Sequence, residues 1–123
     1  MVERTLKKLR SPSLPVLLVR PSIISGAMRD PIPGWTDTIS AAGGLSIIGG
    51  AGIVYWIHGS EKNIADLIPV DIVANMIIVG TCVHANKPSL RIVHSASSHR
   101  MPLTWGKFRD YTYEFIKKQP YKI

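Results

Sequence analysis

Cysteine is nearly absent: Cys82 is the only one in 123 residues, so no disulfide, CxxC pair or multi-cysteine zinc site can form within the chain. It sits in an apolar run, where a buried, inert thiol is expected, and a reducing, intracellular compartment follows. The amino terminus, MVERTLKKLR, lacks the apolar core of a secretory signal. Aromatic residues amount to only 7%, and the basic residues are scattered over Lys7, Lys8, Arg10, Arg20, Arg29, Arg91 and Arg100 rather than gathered into a stripe. That pattern argues against a nucleic-acid partner. His58, His84, His94 and His99 have no metal-ligand spacing, so no metal site is expected.

Acidic residues are also scarce, 8 against 15 basic ones, and the resulting net charge of +7 suits an anionic ligand such as a phosphate-bearing cofactor or a CoA thioester, or a solvated basic surface. With 46% hydrophobic and 19% charged residues the chain is built to bury a core, as one domain or as part of a larger one.

Val2, Leu6 and Leu9 recur at helical spacing, predicting an amphipathic helix that Ser11-Pro12-Ser13 ends. Leu14 to Val19 (LPVLLV) is a continuous apolar run, the mark of a parallel-sheet strand covered on both faces. Gly26, Pro31, Pro33 and Gly34 make the stretch from Ser22 to Ile39 a long loop.

No residue from Thr38 to Ser60 is charged, which is long enough to raise a membrane span. Its glycines instead predict a loop leading to a buried strand over Ile53–Ile57. Asp71 is placed to cap a helix from Ile72 to His84 that is apolar nearly all round and expected in the core. A second strand is expected at Leu90 to His94 and a polar loop at Ser95 to Pro102. A closing helix from Leu103 to Lys118 has Thr104 as its cap and Phe108, Tyr111 and Phe115 on one face.

The strings LPVLLVRPSII (Leu14 to Ile24), DPIPGWTDTI (Asp30 to Ile39), ADLIPVDIVANMII (Ala65 to Ile78) and PLTWGKF (Pro102 to Phe108), in this order, resemble the alcohol-forming fatty acyl-CoA reductases. These are extended short-chain dehydrogenases with a male-sterility-type NAD-binding domain. The resemblance runs from about Leu14 to Pro120. It implies an α/β fold, with residues 1–123 as the carboxyl-terminal portion of an NAD(P)-binding Rossmann-type domain whose amino-terminal half is absent. It further implies NADPH as cofactor, long-chain fatty acyl-CoA as substrate and a primary alcohol as product. The setting would be intracellular, with the peroxisomal or endoplasmic reticulum membrane as candidate surfaces.

By the same resemblance, Pro21, Ser22, Ile23 and Ile24 match the segment that meets the nicotinamide end of the cofactor, as expected for ligands at the carboxyl ends of parallel strands. Gly34 and Trp35 match the family's PGW and are the substrate-binding candidates, with Trp35 either lining an acyl channel or anchoring its loop by packing. Asp66 and Asp71 are read as a turn residue and a helix cap.

No residue is assigned a catalytic role. The family's glycine-rich phosphate loop is missing, and Gly43-Gly44 with Gly49-Gly50 lacks the strand-then-helix setting of a dinucleotide fingerprint. Tyr113 and Lys117 have Tyr-x-x-x-Lys spacing but lie far downstream of the RPS strand, whereas the family's pair precedes it. They are read as ordinary neighbours on a helix.

The chain alone is therefore expected to be inactive. The family's Tyr-x-x-x-Lys is expected to end within about one helical turn upstream of Met1, on the helix that feeds the strand. The alternative is a catalytically dead Rossmann-like piece that binds a partner or a membrane surface through its basic charge and its uncharged stretch.

Overall fold

Apolar β-branched residues favour a pleated strand, and Val16–Pro21 form one, β1, parallel to β4 (Leu90–Ser95) in a register that pairs Val16 with Leu90 and Pro21 with Ser95. The computed structural model describes residues 2–39 and 41–120. Strand β1 begins two residues later than its apolar run and extends through Arg20 and Pro21. After the single residue Ser22 the chain continues as β2 (Ile23–Ser25), which lies parallel to β3 (Leu67–Pro69). A short strand thus stands at the start of the stretch expected to be all loop. Helix α3 (Val70–His84) follows β3 directly and leads back to β4, so β3, α3 and β4 make a strand–helix–strand unit of the α/β class.

Helix α1 (Val2–Leu9) forms over the residues its periodicity marks, but Val2 and Leu9 stay exposed. It is tied to β1 by Glu3 and Arg20: the guanidinium Nε donates to Glu3 Oε1 at 2.7 Å and a second guanidinium nitrogen meets the other carboxylate oxygen. That pairing with Arg20 holds the Glu3 carboxyl below its ordinary range.

Helix α2 (Ala41–Gly50) replaces the expected glycine loop. Tertiary packing against β2 and the closing helix α4 (Trp105–Lys118) overrides the poor helix propensity of glycine, and Ala42 is buried there. The buried strand expected over Ile53–Ile57 does not form, and these residues run as irregular, largely exposed chain. No helix among the described residues is long and apolar enough to cross a membrane.

Helix α3 departs from expectation in two ways. It presses one face on β1, so close that a Cβ on Gly80 would stand 2.6 Å from Leu17 Cδ2, while Ile77, Ile78, Val79 and Val83 face outward. Its cap position is Pro69, whose side chain has no hydrogen-bonding atom, and Asp71, two residues further in, accepts from Ile72 N at 3.1 Å. Cys82 is exposed rather than buried because it lies on that outward face. Strand β1 is likewise only half-buried rather than covered on both faces.

In α4, Thr104 caps as expected, accepting from Lys107 N at 3.3 Å. Its inward face is Phe108, Thr112 and Ile116, whereas Tyr111 and Phe115 are exposed. The Thr112 hydroxyl meets Ser46 of α2 at 3.5 Å, and it is this contact with α2 that selects the inward face. The buried apolar residues among those described are Ala27, Ala42, Ala65, Ile68 and Val73, with no large side chain fully enclosed.

Candidate functional site

Parallel strands end on the same side, and ligands of such sheets lie beyond those ends. Strands β1 and β4 end together at Pro21 and Ser95. At Ser22 the chain changes partners: Ser22 N donates to Ser95 O at 2.9 Å, and Ile23 N donates to Asp66 O at 3.2 Å. Pro21, Ser22, Ile23 and Ile24 therefore occupy the seam between the two strand pairs, with Ile23 and Ile24 partly open to solvent.

A polar shelf surrounds this seam. Asp66 Oδ1 accepts from Ser97 N at 3.1 Å and Ser98 N at 3.0 Å, and Ser97 Oγ donates to Leu67 O at 2.6 Å. These bonds fix the turn that follows β4 against the start of β3. Ser95 is only 2% exposed, and both Ser95 Oγ and Ser22 Oγ are buried without a hydrogen-bond partner. Buried polar atoms are nearly always satisfied, so two enclosed hydroxyls without partners set this seam apart from the rest of the described fold. Asp66 thus serves as more than a turn residue. Ser95 and Ser97 carry no reading from sequence, although SASS directly follows an apolar strand as RPS does, and that parallel is the signal that marks them.

A second feature is the loop carrying Gly34 and Trp35. Ala27 N donates to Trp35 O at 2.9 Å and Gly34 N to Ala27 O at 2.7 Å, closing the loop at its base. Gly34 has φ +81°, in the left-handed region that glycine favours, and a Cβ on Gly26 would stand 2.9 Å from Gly34 O. The glycine of PGW is thereby explained by loop closure.

Asp71 ties the same loop down from α3. Its Oδ1 accepts from Met28 N at 3.0 Å and its Oδ2 from Arg29 N at 2.9 Å and Asp30 N at 3.4 Å. These donors, Met28 N–H foremost, hold its carboxyl down at about 2. Trp35, 41% exposed, stands with Asp30, Pro31, Val70, Asp71, Ala74 and Asn75 around an open hollow of about 390 Å³.

Tyr113 and Lys117 are exposed on α4, whose main packing partner is α2 rather than β1 or β4. Gly43, Gly44, Gly49 and Gly50 lie within α2 and open no strand-to-helix turn. Among the described residues no cluster of His, Cys, Asp and Glu could hold a metal ion. The residues at the strand ends suit a neutral, hydrogen-bonding group such as a carboxamide; they offer no phosphate cradle.

Residues 1–77 match the model of an NAD-binding family described as male sterility protein. Over 115 residues the chain is 39% identical to fatty acyl-CoA reductase 2 of Mus musculus, covering 91% of this chain and 22% of that protein. It is 33% identical over 109 residues to fatty acyl-CoA reductase 1 of Homo sapiens (87% and 21%). With the probable fatty acyl-CoA reductase 5 of Arabidopsis thaliana it shares 30% over 109 residues (88% and 22%). The chain thus spans about a fifth of the length of these relatives.

Proposed function

The chain belongs to the NAD-binding family of male sterility proteins, and from that membership we propose that it is the carboxyl-terminal portion of a reductase domain that converts long-chain fatty acyl-CoA to alcohol with NADPH. The observation that carries this is the seam at Ser22, where two parallel strand pairs meet and two buried hydroxyls lack partners. Bound NADPH supplies the hydride. The chain's part would be orientation: Pro21 to Ile24 and Ser95 would border the nicotinamide end, and Ser22 Oγ or Ser95 Oγ would hydrogen-bond its carboxamide. Trp35, on the rim of its hollow, would border the acyl chain. The described residues at the strand ends offer neither a pyrophosphate cradle nor a Tyr-Lys pair, so the isolated chain should show no turnover.

The test is NADPH oxidation with palmitoyl-CoA, run on the isolated chain and on a chimaera in which the chain replaces the matching region of the mouse relative. The isolated chain should show no turnover and the chimaera should show it. In the chimaera Ser22→Ala should raise the KM for NADPH roughly threefold to tenfold, the worth of one neutral hydrogen bond. Turnover by the isolated chain that Tyr113→Phe abolishes would overturn the proposal.

A further inference from the structure

Helix α1 hands over to β1 through a short irregular segment, residues 10–15, in which Ser11, Pro12, Ser13 and Leu14 are all exposed. Few backbone bonds hold it: Arg10 N donates to Leu6 O at 2.9 Å and Leu14 N to Ser11 O at 3.0 Å. A segment so lightly tethered, outside helix and strand, reshapes at little cost to enter an extended-peptide groove.

Three cations precede Ser13: Lys7, Lys8 and Arg10 stand six, five and three residues before it. None of them forms an ion pair among the described residues, and the Glu3 carboxylate of the same helix is taken by Arg20. Charge placed ahead of a hydroxyl in this way is what the acidic peptide grooves of protein kinases select. Among the described residues only two serines or threonines follow an arginine by three positions, Ser13 after Arg10 and Thr112 after Arg109. Thr112 is half-buried within α4 and meets Ser46, and Arg109 is paired with Glu61 and Asp110. Ser11 follows Lys8 by three, but the next residue is Pro12, which lacks an amide hydrogen and restricts the Ser11 backbone. Ser13 is followed instead by Leu14, 50% exposed.

A phosphate close behind the carboxyl end of a helix ordinarily meets repulsion from the last carbonyls. Arg10 offsets that here. Its Nη1 donates to Pro12 O at 3.4 Å and Leu14 O at 2.8 Å, the carbonyls of the residues on either side of Ser13, and Ser11 Oγ lies 2.9 Å from Ser13 Oγ. A phosphate on Ser13 therefore finds a guanidinium and a hydroxyl within its own turn.

We propose that Ser13 is a phosphorylation site for a serine kinase with an acidic, arginine-selecting peptide groove. Ser13 Oγ attacks the γ-phosphorus of ATP held by the kinase. The new O–P bond forms as the bond from that phosphorus to the β,γ-bridging oxygen breaks, ADP leaves, and the hydroxyl proton passes to a base of the kinase. The site stands independently of the reductase activity.

The test is incubation of the purified chain and ATP with a serine kinase that requires arginine three residues before its target, followed by site-localised mass spectrometry. One phosphate should appear on Ser13. Ser13→Ala should abolish it, Ser11→Ala should retain it, and Arg10→Ala should slow it by about tenfold or more, the worth of one charge-assisted contact. A synthetic peptide of residues 7–17 should react no more than about threefold faster than the chain, because the turn is already accessible. Four results would each overturn the proposal: no phosphate on the chain, phosphate on Ser11 or elsewhere in place of Ser13, an Arg10→Ala rate equal to the native one, or a peptide that reacts while the chain does not.

Discussion

Asp71 shows how a residue's role can differ from its position. It sits in the first turn of α3, where its Oδ1 accepts from Ile72 N, and its oxygens also accept from Met28, Arg29 and Asp30 and so clamp the Trp35 loop. Its folded carboxyl titrates at about 2, below the ordinary 3.8. The clamp therefore adds stability above about pH 4, and that contribution is lost as the pH falls toward 2. The protection factors for hydrogen exchange at the Met28 and Arg29 amides, taken relative to the intrinsic rate at each pH, should fall over that interval in the native chain. In Asp71→Asn protection should already be low at neutral pH and should not change with acid; an unchanged profile would mean that the loop is held by other contacts.

At the scale of elements, packing sets what propensity leaves open. Helix α2 exists despite its glycines because β2 and α4 press on it. Helix α4 instead carries a local signal, the Thr104 cap, and Thr104→Ala should lower stability by about 1 kcal/mol without changing the fold. Urea denaturation followed by circular dichroism measures it. A loss near zero would mean that the helix start is held by Trp105 N to Asn63 O and Gly106 N to Glu61 O instead.

For the whole molecule, the sparse core is the dominant fact. The buried apolar residues described are three alanines, one isoleucine and one valine, while α3 presents an uncovered aliphatic face and the strands pair only in twos. Little apolar burial and open strand edges predict a weakly cooperative melt and self-association of the isolated chain. Size-exclusion chromatography with thermal melting should show oligomers and a broad transition. Ile78→Lys with Val79→Lys should shift the chain toward monomer; a sharp melt from a monodisperse native monomer would contradict this.

The one-dimensional pattern was sufficient for α1, for both longer strands, for the Thr104 cap and for the α/β class, because apolar period, proline stops and capping chemistry act between near neighbours. The family was legible from strings such as DLIPVD and PGW, and the position of Pro21 to Ile24 at the carboxyl end of β1 followed from the apolar run ahead of them. Contacts between distant segments lay beyond such patterns. Ser22 meets Ser95, Asp71 captures a loop more than forty residues upstream, and Ile53–Ile57 stays outside rather than forming a buried strand. Tertiary structure alone decided these, since hydrophobicity states what a side chain prefers but not whether any surface in the fold is free to cover it.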